Sequence, residues 1–359
     1  MESLRITRVR RLAQEGATSI ALTAYLPVGG EEVLSPARLG KVQEKAEKSA
    51  AKLPDVREAE SFRANLEHAI RLALEGGYSD GTWLLAVTPS LSEAIFLPFA
   101  LPEEIAVGKN LKPHAALYAL YKSETLFVGF VSEQTTRWFE AVGERLFPLE
   151  LPPAIKEALS QLHKARHQLQ SLTVDNSHYT ELFSQMARSA YSIALVKYTD
   201  ALREAIRFYL EEEKVRVVLM GEERILQEVS RGLEGKGTLA VMNTILDASA
   251  TEAIAQQVQL YRDQRRRELE EMYLPFLEYC EPQSPQEIWE LLQEASGGAP
   301  ILFVEEGYSL PADQLAGSKR SLPTREGLDL LIGAVRDRGG EVLFFPPGKL
   351  PQPLTLLLP

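Results

Sequence analysis

Residues 105–139 constrain the fold of this chain more than any other segment. A short apolar strand comes first, and Lys112 with Pro113 breaks the chain before a short helix. Two strands at hairpin spacing follow: residues 125–131 are an apolar run, and residues 135–140 alternate as if one face were wet. This segment therefore predicts an edge strand, a helix and a β-hairpin in a mixed α/β protein.

The residues before this hairpin predict an α+β domain over 1–110. A strand over 19–28 ends at a Gly-Gly turn, and Ser35 with Pro36 then opens a helix over 35–52. A second helix over 60–74 and two strands over 83–88 and 93–99 complete the pattern.

The middle of the chain predicts an α/β domain over 111–245. After the hairpin come two long helices over 154–172 and 178–212. Strands over 215–220 and 238–242 follow, with a helix over 222–233 between them.

The last part predicts a small α/β/α sandwich over 246–359. The capping box that begins at Ser249 opens a long helix, and Ser284 with Pro285 and Glu287 opens the next one. Strands at 301–305 and 342–345 flank a helix over 328–337.

Composition limits the functions that the chain can have. No run approaches the roughly 20 apolar residues that a membrane span needs, and the N-terminus lacks the apolar core of a signal peptide. A cytoplasmic protein without membrane contact is expected. The single cysteine, Cys280, excludes an internal disulfide and a cysteine-built zinc site. The net charge of −11 argues against general nucleic-acid affinity but leaves room for a local basic patch.

Several segments, in the right order, resemble a bacterial family related to the archaeal and eukaryotic peptide-chain release factors. They are SIALTAYLPV, IFLPFALPEEIAVG, the hairpin of residues 105–139, GTLAVMNTILDASATEAI and VRDRGGEVLFFPPGKLP. The resemblance covers nearly the whole chain. It implies three domains, of which the middle one is ribonuclease-H-like and the last one is similar to an RNA-binding ribosomal-protein fold.

The catalytic Gly-Gly-Gln of true release factors occurs nowhere in the sequence. The equivalent stretch before the long helix reads Asp175, Asn176, Ser177 and His178, without the glycines that allow a tight turn or the glutamine that orients water. One interpretation is a helix N-cap, since Asp, Asn and Ser satisfy free amides at a helix start. The other is a polar partner-contact loop in which His178 titrates near neutrality. Peptidyl-tRNA hydrolysis by the usual mechanism is not expected, and no catalytic residue is assigned.

Basic residues give two candidate RNA or ribosome contacts. One face of the helix predicted over 35–52 carries four lysines at spacings of four, three and four: Lys41, Lys45, Lys48 and Lys52. This face either binds an RNA backbone or is an ordinary solvated face flanked by Glu44 and Glu47. Lys319 and Arg320 lie among small residues in a loop of the third block, which suits either phosphate contact or a plain surface loop.

A denser group of cations in the third block is interpreted differently. Arg262, Arg265, Arg266 and Arg267 precede Glu270 and Glu271 at pairing distance, so a salt-bridged helix face is the favoured interpretation.

Enzymatic patterns are otherwise few. Asp200 and Glu204 lie one helical turn apart, but two-metal catalysis also needs carboxylates from strands, and the predicted strands contain none. His163 and His167 are four apart without an evident third ligand. No phosphate-binding glycine loop, nucleophile elbow or dinucleotide fingerprint is present, so neither a cofactor nor a metal is expected.

The sequence therefore favours a non-enzymatic, release-factor-like protein that binds the ribosome or a structured RNA, in stalled-ribosome handling or translational stress. One alternative is a protein–protein scaffold or homo-oligomeric stress protein without RNA binding, which the acidic balance favours. The other is a divalent-ion-dependent hydrolase on the ribonuclease-H-like domain, which would depend on Asp200 or Glu204.

Overall fold

The structure of the chain, a computed structural model, describes residues 3–29, 34–78, 80–172, 180–233, 239–243, 251–294, 299–310, 315 and 326–358. The chain divides into two compact units. The one-sheet unit comprises Met1–Leu4 and Glu124–Asp263, and the two-sheet unit comprises Arg5–Ser123 and Gln264–Pro359.

Helices and strands are interspersed along the described residues. The helices are α1 (Arg5–Gln14), α2 (Pro36–Ala50), α3 (Val56–Glu75), α4 (His114–Lys122), α5 (Pro153–Leu172), α6 (Thr180–Glu211), α7 (Glu223–Ser230), α8 (Thr251–Leu277), α9 (Pro285–Glu294) and α10 (Glu326–Asp337). The strands are β1 (Ala21–Val28), β2 (Gly81–Thr88), β3 (Leu91–Leu97), β4 (Glu104–Gly108), β5 (Leu126–Val131), β6 (Thr136–Val142), β7 (Arg145–Leu149), β8 (Arg216–Gly221), β9 (Leu239–Asn243), β10 (Ile301–Glu305), β11 (Glu341–Phe345) and β12 (Leu354–Leu357). The mixed α/β class that the sequence predicts is confirmed.

The first sheet of the two-sheet unit is antiparallel, in the order β3-β2-β1-β4. Helix α3 packs on β2 and β3, and α2 packs on β1 and β4. The predicted start of α2 is confirmed, because the Ser35 side chain accepts a hydrogen bond from the backbone N–H of Arg38 at 3.3 Å. This cap satisfies one of the free amides of the first helical turn.

The second sheet of this unit has the order β11-β10-β12, with β11 parallel and β12 antiparallel to β10. Phe303, Leu343 and Phe345 pack on one face against Leu277 at the end of α8. Helices α9 and α10 also contact this sheet but contribute nothing to that cluster, so they cover the other face. The predicted α/β/α sandwich is confirmed. The sequence takes β11 for the last strand, whereas β12 follows it and pairs with β10.

The one-sheet unit contains a mixed five-stranded sheet in the order β7-β6-β5-β8-β9. Strands β5, β6 and β7 form an antiparallel meander, and β8 and β9 run parallel to β5. Helix α7 connects the two parallel strands. This is the ribonuclease-H-like mixed sheet that the resemblance implies.

Strand β6 differs from its prediction, which has one wet face. All of its residues except Arg137 are buried. Phe139 and Ala141 pack against Ile254 and Val258 of α8 on one side. On the other side, the ring of Trp138 lies edge-on to Tyr209 of α6, with 5.8 Å between ring centroids. Helices therefore cover both faces of the strand.

The domain boundaries expected at 110/111 and 245/246 stay a prediction. By its contacts α4 belongs to the two-sheet unit. Its Tyr118 ring lies edge-on to Phe344, at 5.4 Å between centroids, and Lys122 Nζ lies 3.1 Å from Glu306 Oε2. Among the described residues, no helix is long and apolar enough to cross a membrane.

Candidate functional site

The lysine face is solvent-exposed in the structure. Its four members are Lys41, Lys45, Lys48 and Lys52. Three of them lie on α2, and Lys52 follows the last helical residue, Ala50. Leu39 and Val42 bury the opposite side of the helix. Lys41, Lys45 and Lys48 therefore lie on the exposed side of α2, and Lys52 is exposed just beyond the end of the helix.

Three of these lysines have partners within the protein. Lys41 Nζ lies 3.8 Å from Glu103 Oε1, and Lys45 Nζ donates a hydrogen bond to the carbonyl oxygen of Ile105 at 2.6 Å. Lys48 Nζ lies 2.6 Å from Glu44 Oε1, and this hydrogen bond lowers the pKa of the Glu44 carboxyl group. Exposed pairs of this kind contribute little to stability, because water and salt screen the charges. The lysines can therefore exchange these partners for phosphate groups at little cost.

The arginines of α1 do not extend this face. Arg5 Nε donates to the carbonyl oxygen of Phe96 at 2.8 Å, and Arg10 Nε donates to the hydroxyl of Tyr121 at 3.1 Å. Arg8 pairs with the Glu93 carboxylate. These contacts attach α1 to neighbouring parts of the two-sheet unit.

The arginine cluster of α8 divides into paired and buried members. Arg266 pairs with Glu270 at 3.7 Å, which is the predicted salt bridge on the helix surface. Arg262 is instead buried, and its guanidinium donates to the carbonyl oxygens of Glu124, Ala141 and Gly143. Burial lowers the pKa of this guanidinium. The cluster thus has structural roles in each of the two units.

A polar cluster lies where β5 and β8 end. Ser132 closes the turn after β5, with its backbone N–H donating to the carbonyl oxygen of Thr135 at 2.9 Å. After β8, Glu222 accepts the backbone N–H of Glu133 at 3.1 Å through its carboxylate. The two parallel strands approach closely because Gly221 has a φ of 136°, and a Cβ at this residue would overlap the carbonyl oxygen of Val131. Ligands of parallel α/β sheets usually bind at this carboxyl edge.

Tyr191 of α6 reaches this edge. Its hydroxyl donates to Glu133 Oε1 at 2.5 Å, and Arg224 Nη1 lies 3.5 Å from the same carboxylate oxygen. Burial, helped by the hydrogen bond to Glu133, raises the pKa of Tyr191 to about 12. The tyrosine therefore stays protonated at neutral pH and acts as a hydrogen-bond donor.

Tyr198, two turns further along α6, is fully buried. Its hydroxyl donates to the carbonyl oxygen of Ser132 at 3.0 Å and lies 2.5 Å from the Thr136 hydroxyl. Burial raises the pKa of this hydroxyl. Together, Tyr191 and Tyr198 fix α6 to the turn between β5 and β6. Their contacts connect this helix to the turn, so the cluster acts as a structural latch.

The residues considered for hydrolysis do not converge. Asp200 Oδ1 pairs with Arg203 Nη1 at 2.5 Å, while Glu204, His163 and His167 are exposed. Within the described part of the chain, no group of three or more His, Cys, Asp or Glu side chains could hold a metal ion. This geometry gives the hydrolase alternative no support.

Two sets of predicted site residues lie outside the described residues. They are the possible contact loop of Asp175, Asn176, Ser177 and His178, and the cationic pair of Lys319 and Arg320. Both assignments stay predictions.

Sequence reasoning missed the latch of Glu133, Tyr191, Tyr198, Glu222 and Arg224. One sequence signal for this cluster was available: Glu133 and Glu222 each follow a predicted strand within two residues. Tyr191 lies 58 residues from its partner Glu133, and Tyr198 lies 66 residues from its partner Ser132. A periodic pattern carries no information about such pairs.

No protein-family model and no curated protein matches the chain. Among solved structures, the chain is similar to an archaeal translation termination factor, aRF1, at 13% identity and a TM-score of 0.24, over 96% of this chain and 93% of that one. It is also similar to the Pelota protein of Archaeoglobus fulgidus, at 11% identity and a TM-score of 0.22, over 77% and 78% of the respective chains. Likenesses with TM-scores this low carry no conclusion about function.

Proposed function

We propose that this chain is a release-factor-like protein that binds the ribosome or a structured RNA and does not hydrolyse peptidyl-tRNA by the Gly-Gly-Gln mechanism. The observation that carries the proposal is the lysine face, whose four residues are all exposed within 12 positions of the chain. The ordered sequence resemblance along nearly the whole chain gives that surface its context. A role in stalled-ribosome handling or translational stress follows from the same resemblance.

The charge distribution sets the kind of binding that is expected. The protein is acidic, with a net charge of −11, so a phosphate-rich partner is repelled by most of its surface. Attraction depends on local cations that displace counterions, and each phosphate contact contributes about 0.7–0.9 to the slope of log K against log salt. Four contacts through the lysine face correspond to a slope of about −3.

Co-sedimentation with ribosomes across a salt series tests the proposal. We expect binding at low salt that weakens with a slope of about −3. Changing all four members of the lysine face to Glu should abolish it. The matched control changes four exposed lysines elsewhere to Glu, so the net charge falls equally: Lys156, Lys164, Lys197 and Lys349. The control should retain most of the binding. Equal loss in both variants, or no binding at low salt, would contradict the proposal.

A protein–protein scaffold is the second candidate, and one observation favours it. Met272, Phe276 and Tyr279 are exposed on one face at the end of α8 and in the turn after it, beside the exposed carboxylates of Glu271 and Glu278. Acid-rimmed apolar surfaces suit basic protein partners better than RNA. Binding that resists salt and disappears on changing Phe276 to Ser would identify a protein partner instead of a phosphate backbone.

A further inference from the structure

The first sheet of the two-sheet unit has two edge strands, β3 and β4. An edge strand presents backbone N–H and C=O groups on its outer side, and these groups can pair with a strand of another chain. Proteins commonly prevent such pairing with charged side chains, proline, bulges or a covering element. In this sheet, cationic side chains from neighbouring helices contact the outer side of both edge strands.

At the β3 edge, two arginines of α1 bind outward-facing carbonyl groups. Arg5 Nε donates to the carbonyl oxygen of Phe96 at 2.8 Å, and Arg8 Nη2 donates to that of Ala94 at 3.1 Å. Successive carbonyl groups of a strand point to opposite sides, so these two acceptors, two residues apart, lie on the same side. The two arginines are three residues apart and therefore lie on one face of α1. One helix face thus follows the edge of the strand.

At the β4 edge, a lysine of α2 makes the corresponding contact. Lys45 Nζ donates to the carbonyl oxygen of Ile105 at 2.6 Å, and Ile105 lies opposite Ala24 of β1. Because this carbonyl group accepts from a helix, it points away from β1. Val107, two residues later, has its N–H and C=O on the same outer side. Within the described part of the chain, no backbone group outside the sheet pairs with Ile105 or Val107.

The Lys45 ammonium group obstructs the addition of a strand to β4. An added strand needs the outward N–H and C=O groups of Ile105 and Val107, and Lys45 occupies one of them. To reach it, the added strand must displace the ammonium group and take it out of water, which costs free energy because the charge has no new partner. A phosphate group imposes no such cost, because it is itself a charged partner for the ammonium group.

We propose that Lys45 keeps the edge of β4 from pairing with a strand of a second copy of this chain. The equivalent contacts of Arg5 and Arg8 at the β3 edge support this role, since the same arrangement occurs at both edges of one sheet. In a purified sample every copy carries the same edge strand, so the second copy is the available partner. Lys45 also belongs to the lysine face, but this inference involves no RNA and does not rest on the proposed function.

Removal of the Lys45 ammonium group tests the proposal. We expect Lys45→Ala to self-associate at least about tenfold more tightly than the wild type in sedimentation velocity, because the Ile105 carbonyl group becomes free to pair. Lys48→Ala is the matched control: it removes the same charge one turn later, where Lys48 pairs with Glu44 and not with a strand. This control should behave like the wild type. Circular dichroism should show both variants folded, because both lysines are exposed.

A second substitution shows whether the association uses the edge of β4. Val107→Pro removes the outward N–H of this residue, and proline is tolerated in edge strands where the N–H faces away from the sheet. Lys45→Ala combined with Val107→Pro should therefore associate no more tightly than the wild type.

Hydrogen exchange gives an independent reading without the proline. In Lys45→Ala, the Val107 amide should exchange more slowly as the protein concentration rises. Association of Lys45→Ala that is no tighter than that of the wild type would overturn the proposal. So would equal association of Lys48→Ala, or association that the proline leaves intact.

Discussion

At the residue scale, several buried polar side chains form hydrogen bonds with backbone carbonyl or N–H groups. The guanidinium of Arg262 donates to three carbonyl oxygens. The carboxylate of Glu213 accepts the Ser3 hydroxyl at 2.6 Å and the backbone N–H of Leu4 at 3.2 Å. Tyr198 does the same for the turn after β5. Buried groups of this kind cost stability when one partner is lost, because the other partner remains desolvated.

We expect Tyr198→Phe to lower the free energy of unfolding by about 1–2 kcal/mol, because the Thr136 hydroxyl and the Ser132 carbonyl lose a buried partner. Urea denaturation at pH 8 measures this change. Val196→Ala, two residues away on the exposed side of α6, is the comparison and should be nearly neutral. An equal effect of both substitutions would contradict the role given to the hydroxyl.

The same variant should change the response to alkaline pH. Burial raises the pKa of Tyr198 in the folded chain above the value of about 10 of an exposed tyrosine. Its contribution to stability is therefore complete below pH 10 and is lost as the pH rises further, since the unfolded chain ionises first. Tyr198→Phe should lose stability less steeply above pH 10 than the wild type.

At the element scale, the sequence predicts strands and helices where periodicity is strong and misses those where it is weak. The apolar run of β5 and the N-cap of α2 are found within one or two residues. Strand β12 is missed because Pro351 and Pro353 precede four residues that read as a proline-rich tail. Its strand conformation comes from pairing with β10, which is a tertiary effect. The wet face predicted for β6 is wrong for the same reason, since α8 covers it.

Strand β12 should contribute to the stability of the last sheet despite its length. Leu356 is buried, and β12 pairs with Leu302 through this residue. We expect Leu356→Ala to lower the free energy of unfolding by about 2–4 kcal/mol, through lost burial and a residual cavity. The control Leu358→Ala, just after the strand, should have a much smaller effect. Hydrogen exchange at the β10 amides locates the loss, and unchanged protection there would contradict it.

The candidate site likewise contains features that the sequence predicts and features that it misses. The positions of Lys41, Lys45 and Lys48 can be predicted because they depend only on spacing within one helix. The latch cannot, because Tyr191 and Arg224 meet Glu133 from helices far away in the sequence. The neutralising partners of the lysines, such as Glu103, also come from outside the helix. Local surfaces can thus be found from a single sequence, whereas clusters that join elements need the tertiary structure.

At the scale of the whole molecule, the two units place different surfaces on different parts of the chain. The lysine face and the acid-rimmed residues of α8 belong to the two-sheet unit, and the tyrosine contacts of α6 belong to the one-sheet unit. The proposed phosphate contact and the proposed protein contact use different side chains, so each can be changed separately by substitution.

The last prediction concerns catalysis by the whole protein. With peptidyl-tRNA on stalled ribosomes as substrate, we expect the rate of peptide release to equal that of buffer alone, even where the protein binds. No Gly-Gly-Gln is present to orient water, and the carboxylates of Asp200 and Glu204 do not belong to a described metal-binding group. Release of labelled peptide over time is the measurement. Release that requires a divalent ion and disappears with Asp200→Asn or Glu204→Gln would instead establish the hydrolase alternative. Release that survives both substitutions would point to another residue set and would equally contradict a purely binding protein.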